Sequence, residues 1–276
     1  MCSSDLVNEM PPMSFRALSM AFGLPVLWLL VKSQGLTVRV AREHWGELLA
    51  IALTNMVIWF VLAMFGIALL SSGRAAIIGY TMPVWALLAS VMLYRNPLTW
   101  RATLGVLCSL IATVLLALDE MSHFAGQPLG LVFTFGAAIS WGIGNAMMKH
   151  TRLSISSLAL TFWSLAVGAV CFTFLAWVFE RDVWRWPNLW QSLAIGYGGV
   201  MTFAVSYVAW FRVARKLTPV TSGLSIMLVP VIGVFGGHFF LGETIALTDV
   251  LALGFILSAM AIVLIPTRAP QPSPTP

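Results

Sequence analysis

Charged side chains are scarce in this chain of 276 residues: they make up 9% of it, whereas 59% of the residues are hydrophobic. No ordinary soluble core could bury so much apolar surface. The longest polar stretches are residues 32–44, 179–189 and 266–276, which excludes a water-soluble domain of useful size. The composition therefore predicts an integral membrane protein.

Clustered reactive groups are also lacking. The chain has three cysteines, and Cys108 and Cys171 fall inside apolar segments, which disfavours a disulfide framework or a metal site. There is no HExxH motif, no pair of buried carboxylates and no Cys/His grouping, so the sequence argues against an intramembrane enzyme and predicts no cofactor and no metal. The net charge of +5 is typical of basic cytoplasmic loops, so the expected partners are lipid and a small-molecule substrate, not nucleic acid.

Apolar segments long enough to span a bilayer follow one another along the chain. Their backbone amides must be paired within each segment, and the alternating pattern of a membrane barrel is absent, so they are expected to be helices. The sequence thus predicts an all-α polytopic membrane protein with nine transmembrane helices, at 13–31, 48–70, 75–94, 102–118, 129–148, 155–178, 190–211, 220–241 and 247–265.

The basic residues are unevenly divided between the two ends of these spans. Most of the 15 Lys and Arg residues fall in alternate connections that would share one side, and the positive-inside rule makes that side cytoplasmic. This side receives Lys32, Arg39, Arg42, Arg95, Arg101, Lys149, Arg152, Arg212, Arg215, Lys216 and Arg268. The C-terminus is therefore expected in the cytoplasm, with Arg16 near the mouth of the first span on the other side.

An apolar segment with a central proline occurs twice. "GYTMPVWALLASVML" at 79–93 and "IMLVPVIGVFGGHFF" at 226–240 align Pro83 with Pro230. The helices that follow align as well, "TWRATLGVLCSLIATVLL" with "TDVLALGFILSAMAIVLI". A proline inside a span removes a backbone hydrogen bond, so both prolines are predicted to kink their helices, although a tolerated kink without a functional part would look the same.

The earlier helices of the two halves fall into the same order. The span from Trp45 corresponds to the span from Trp190, and the span from residue 13 corresponds to the span from 155, whereas 129–148 has no partner. This indicates five helices per half, and because five is odd, the second half would be inserted in the inverted orientation. Small residues also recur in both halves and predict a close-packing face between helices or subunits, the latter in a homodimer: Gly105, Ser109 and Ala112, matched by Gly254, Ser258 and Ala261.

Polar and aromatic residues inside the spans are the candidates for a substrate pathway, because unpaired polar groups are costly in hydrocarbon. The candidate substrate-binding residues are Asn55, Trp59, Tyr80, Trp85, Trp141, Asn145, Tyr197 and Tyr207. For any one aromatic residue, a place in the interfacial belt is the alternative interpretation. His238 and Glu243 lie five residues apart and could carry a proton, or could serve only structural hydrogen bonding and helix capping.

At these residues the sequence resembles the EamA-type transporters of the drug/metabolite transporter superfamily, through "RAAIIGYTMPVWALLASVMLY", "ISWGIGNAMMKH" and "MLVPVIGVFGGHFFLGETI". The resemblance implies ten helices, of which this chain is expected to lack the first, and 1–12 is expected to be a truncated or foreign leader. It implies EamA repeats at 13–118 and 128–266, with a cytoplasmic tail at 267–276. The family's usual Gly-Glu pair after the first proline helix is replaced by Arg95 and Asn96.

The function expected from the repeat and the resemblance is secondary transport in the bacterial inner (plasma) membrane. Alternating access by two inverted halves would export small organic metabolites such as amino acids, with export favoured by the resemblance. A neutral aromatic lining admits amino acids, nucleosides, polyamines or drugs, but disfavours phosphates, which want several buried cations. A non-transporting scaffold or receptor is the alternative, and an intramembrane enzyme is the weakest interpretation.

Overall fold

Helices make up all the regular structure that a computed structural model describes, in residues 10–70, 78–79, 81–118, 128–218, 221–222 and 247–264. Five helical stretches in these ranges are long and apolar enough to cross a membrane: Pro12–Ser33, Arg42–Leu69, Pro128–His150, Ser157–Phe179 and Leu189–Lys216. Shorter apolar helices accompany them. The predicted all-α polytopic membrane protein is confirmed.

We number the helices of the described residues in chain order. Two of them contain a π-helical segment: α2 runs from Trp45–Ala52 through Leu53–Ile58 to Trp59–Leu69, and α7 from Leu189–Tyr197 through Gly198–Ser206 to Tyr207–Lys216. The others are α1 Pro12–Ser33, α3 Met82–Tyr94, α4 Trp100–Leu118, α5 Pro128–His150, α6 Ser157–Phe179 and α8 Leu247–Leu264. Each overlaps one predicted span. The remaining predicted span, 220–241, lies outside the described residues except for 221–222.

The start of α1 is held by a carboxylate from the end of α6. The backbone N–H of Met13 donates to Glu180 Oε1 (2.8 Å), and the N–H and hydroxyl of Ser14 donate to Oε2 (both 2.7 Å). A helix N-terminus is a ready anion site, because its first amides have no partner within the helix. The buried Glu180 fills that site and ties α1 to α6.

Helices that correspond in the predicted repeat contact each other. The corresponding helices α1 and α6 pack together, and so do the closing helices α4 and α8. In addition, α1 contacts the π-helical segment of α7, while α6 contacts the π-helical segment of α2. Thus α7 lies against α1 and α2 lies against α6, so corresponding helices of the two predicted halves make equivalent contacts with the opposite half.

The two copies of the small-residue face have different surroundings. Gly105, Ser109 and Ala112 are buried, and Ala112 belongs to an apolar cluster that α4 forms with α8. This copy is therefore a helix interface within the chain. The matching residues on α8 are exposed: Gly254, Ser258 and Ala261.

Pro83 lies at a helix start. The sequence predicts a kink at Pro83 inside a span. In the structure α3 begins at Met82, so Pro83 occupies the first turn of this helix, where a backbone N–H would have no partner within the helix. A turn precedes it, in which the N–H of Thr81 donates to the carbonyl of Ile78 (3.0 Å). Among the described helices, α1 contains an internal proline, Pro25.

Candidate functional site

Four tryptophans from four helices belong to one apolar cluster with Met82 and Ala138, and we call these four the tryptophan layer: Trp59 of α2, Trp85 of α3, Trp141 of α5 and Trp210 of α7. The rings of Trp141 and Trp210 lie 5.1 Å apart between centroids. Three of the four were predicted as site residues, and the structure brings them together. Trp210 lies next to the end of the predicted span 190–211 and was missed.

The indole N–H groups of this layer differ in their partners. Trp85 Nε1 donates to Thr81 Oγ1 (3.1 Å). In contrast, Trp210 Nε1 is buried and has no hydrogen-bond partner in the part of the chain that the structure describes. The tryptophan layer is thus mainly an apolar, aromatic surface with few polar groups for binding a ligand.

Asn145 is fully buried and bonded within the protein. Its Nδ2 donates to Ser222 Oγ (2.9 Å), and that hydroxyl also lies 3.1 Å from Asn145 Oδ1 and 3.0 Å from the carbonyl of Thr218. The pair joins α5 to the residues that follow α7. Its geometry indicates a structural bond between helices.

Asn55 has a similar local role within the π-helical segment of α2. Its side chain is 2% exposed, and Nδ2 donates to the carbonyl of Ile51 (3.1 Å). A side chain at Gly144 of α5 would collide with this amide, so the glycine permits the contact. The carbonyl of Thr54 accepts a hydrogen bond from the Ser140 hydroxyl (2.9 Å), which links the same segment to α5.

The glycine two residues earlier has a comparable role. A Cβ at Gly142 would lie 2.7 Å from the backbone nitrogen of Ala86, so the backbones of α5 and α3 approach closely there. Gly142 and Gly144 thus let α5 approach α3 and α2 closely.

An arginine lies on one of three aromatic rings that pack together, and we call this set the Arg16 cluster: Arg16 of α1, Phe60 of α2, and Phe203 and Tyr207 of α7. The guanidinium carbon of Arg16 is 4.1 Å from the centroid of the Phe60 ring. The three ring centroids lie 5.8–6.2 Å from one another. Phe203 is buried, whereas the other three side chains keep part of their surface accessible.

Tyr207 was predicted as a site residue, but Arg16 was missed. The sequence signal was there, since Arg16 is a single basic residue five positions into an apolar helix. Its place near a span end suggested a side chain that reaches the interface. The structure instead places its guanidinium on the ring of Phe60 in α2.

Tyr197 does not join either group. Its side chain is 70% exposed, on the surface of α7, so its prediction as a substrate-binding residue is corrected: the helix directs it away from the bundle interior. Tyr80, Pro230, His238 and Glu243 lie outside the described residues.

Crevices open at both ends of the bundle. One, of about 460 Å³, lies at the Lys- and Arg-rich end and is lined by residues that include Ser90, Asn96, Arg101, Lys149 and His150. The other, of about 780 Å³, lies at the opposite end and is lined by residues that include Glu180, Asp182, Trp184, Arg185 and Asn188.

The residues that replace the expected Gly-Glu pair lie beside the first crevice. Arg95 ends α3 with φ +51°, the left-handed conformation that favours glycine. The amide nitrogen of Asn96 contacts Ser90 Oγ and His150 Nε2 (3.0 Å for the latter), and the His150 ring stacks on Tyr94. Asn96 therefore links the end of α3 to the end of α5.

Several known proteins are similar to this chain. The "Uncharacterized transporter YoaV" of Bacillus subtilis is 24% identical over 89% of this chain and 84% of its own length. The "Uncharacterized inner membrane transporter YedA" of Escherichia coli is 25% identical over 70% of this chain and 61% of its own length. "Protein PecM" of Dickeya dadantii is 25% identical over 79% of this chain and 73% of its own length.

A solved structure, described as "Crystal structure of protein", matches with a TM-score of 0.77. It is 16% identical, and the match covers 94% of this chain and 90% of the other, so the likeness concerns the fold alone. The family model described as "EamA-like transporter family" matches residues 1–118 and again 128–265. With a helical membrane fold and two family matches that together cover most of its length, this chain belongs to the EamA-like transporter family.

Proposed function

We propose that this protein is a secondary transporter that exports small organic metabolites, such as amino acids, by alternating access. The observation that carries the proposal is where the two candidate groups lie. The Arg16 cluster joins α1 and α2 to α7, and the tryptophan layer joins α2, α3 and α5 to α7. Both groups therefore span helices from the two predicted halves, so a rocking of one half against the other would change their lining.

The π-helical segments support such a motion. Leu53 follows Trp45 by eight residues, and Gly198 follows Trp190 by eight, so the two segments begin at matching positions of the predicted repeat. A π-helical turn weakens the regular hydrogen-bond ladder and often marks a functional bend. The pair would give each half a hinge at the equivalent position of the repeat.

Transport is tested by flux through the purified full chain in proteoliposomes. Vesicles loaded with a radiolabelled mixture of amino acids, nucleosides and polyamines should release at least one component faster than protein-free vesicles do. Trp141→Ala should slow that release, because it removes a ring from the centre of the tryptophan layer, while Gly254→Ala, at a position with no atom within 4 Å of the added carbon, serves as the control. No flux of any component would favour the scaffold or receptor alternative.

The orientation is part of the same proposal. We place the protein in the bacterial inner membrane with its C-terminus and the Lys- and Arg-rich end in the cytoplasm. In cells, an impermeant thiol reagent should label a cysteine at Arg181 and should not label one at Lys216 until the membrane is opened. The reverse labelling pattern would overturn this orientation.

A further inference from the structure

The position of Arg16 is not explained by helix stability. It is the fifth residue of α1, where a cation is unfavourable because the N-terminal end of a helix is the positive end of its dipole. Its guanidinium does not simply extend to the nearest interface, since it lies on Phe60, nine residues before the end of α2. A charge kept inside an apolar span at such a cost is typical of a functional group.

The contact with Phe60 leaves the hydrogen-bonding groups of Arg16 free. An arginine that lies over a ring uses the face of its guanidinium, whereas its five N–H donors lie in the plane of the group. Within the described residues, Arg16 forms no ion pair and no hydrogen bond. The carboxylate at the start of the same helix, Glu180, is bonded to Met13 and Ser14 instead.

The hydroxyl of Tyr207 is a second group that is available for a hydrogen bond with a ligand. The ring of Tyr207 packs against Phe203 and against Phe60, the ring on which Arg16 lies. Its hydroxyl forms no hydrogen bond with any other described residue. The guanidinium of Arg16, with its planar set of N–H donors, and the phenol of Tyr207 thus both lie against the apolar ring of Phe60.

We infer that the Arg16 cluster binds the carboxylate of the transported substrate, with Arg16 as its bidentate partner and the aromatic rings against its apolar part. A carboxylate matches the planar donors of an arginine in shape and charge, and it would supply the polar partner that Arg16 lacks among the described residues. A single cation is a poor match for a phosphate, and it repels polyamines and other cations. This inference rests on the proposed function and narrows its substrates to small organic acids and amino acids.

The test compares acids with their own amides on the full chain in detergent. The probes are leucine with leucinamide, phenylalanine with phenylalaninamide, and phenylacetate with phenylacetamide, and the readouts are tryptophan fluorescence titration and ligand-dependent thermal stabilisation. At least one acid should bind tenfold or more tightly than its amide. Arg16→Met should abolish that preference, Arg16→Lys should restore part of it, and Arg181→Met, at an exposed arginine, should leave it unchanged.

The outcomes separate this inference from the proposal of transport. An acid preference that survives in Arg16→Met, or no acid that binds better than its amide, overturns the carboxylate assignment. If proteoliposomes release nucleosides or polyamines but no acid, transport stands and the carboxylate assignment fails. Size-exclusion profiles of the Arg16→Lys variant show whether the fold is intact when the preference changes.

Discussion

Two arginines at opposite ends of the bundle have very different surroundings. The guanidinium of Arg215 donates to the carbonyls of Ile155 (2.6 Å) and Leu153 (3.0 Å), with Ser157 Oγ at 3.5 Å, so it ties the end of α7 to the loop before α6. Arg16, in contrast, lies on a phenyl ring without a hydrogen bond in the described part of the chain. Both are half-buried, so burial alone does not separate a structural arginine from a binding one.

The same contrast holds for the neutral polar groups. Asn145 and Ser222 bond to each other, and Asn55 bonds to its own helix, whereas the Tyr207 hydroxyl keeps its capacity for a ligand. Groups that the protein has already paired contribute to stability, and their hydrogen bonds are not available to a substrate. The unpaired groups are the ones for which binding is the better explanation.

The largest expected difference concerns the two arginines. Arg215→Met should lower the free energy of unfolding by about 3 kcal/mol, because charge-assisted hydrogen bonds to two carbonyls are lost. Arg16→Met should change it by no more than about 1 kcal/mol, since only a cation–π contact is removed together with a costly charge. Thermal unfolding of the two variants in the same detergent measures the difference, and equal losses would contradict the distinction.

A second prediction concerns Asn145 and Ser222. Asn145→Ala should cost about 1–3 kcal/mol, because it removes the buried hydrogen bonding between Asn145 and Ser222. The double variant with Ser222→Ala should cost less than the sum of the single variants, with a coupling of about 1 kcal/mol. The KM for substrate should stay near that of the wild type. A raised KM in a variant of unchanged stability would return Asn145 to the binding site.

The smallest expected effect concerns a third arginine, Arg95, whose backbone conformation is unfavourable for residues other than glycine. Arg95→Gly should raise the free energy of unfolding by about 0.5–1 kcal/mol, because φ +51° is unstrained for glycine. The matched control is Gly35→Ala, at φ +63° with no atom near the added carbon, which should lose a similar amount. A loss of stability in Arg95→Gly would show that the Arg95 side chain has a role that its backbone conformation hides.

Much of the candidate site could be predicted, though not its chemistry. Trp59, Trp85 and Trp141 were identified because large aromatics deep within spans are conspicuous in sequence, and they do meet. Tyr197 was wrongly included, since depth along a helix says nothing about the direction in which a side chain points. Arg16 was left out for a related reason, because whether a long side chain turns inward depends on neighbours that are far away in sequence.

The sequence by itself determined the class of the molecule, the helices that the structure describes and the repeat of the proline helix, because hydrophobic length and composition are properties of the chain alone. Tertiary structure decided which polar groups are paired. Asn145 depends on Ser222, the start of α1 depends on Glu180, and Arg16 depends on the ring of Phe60 from α2. A hydrogen bond requires two atoms within about 3 Å, and only the packing of helices brings such residues together.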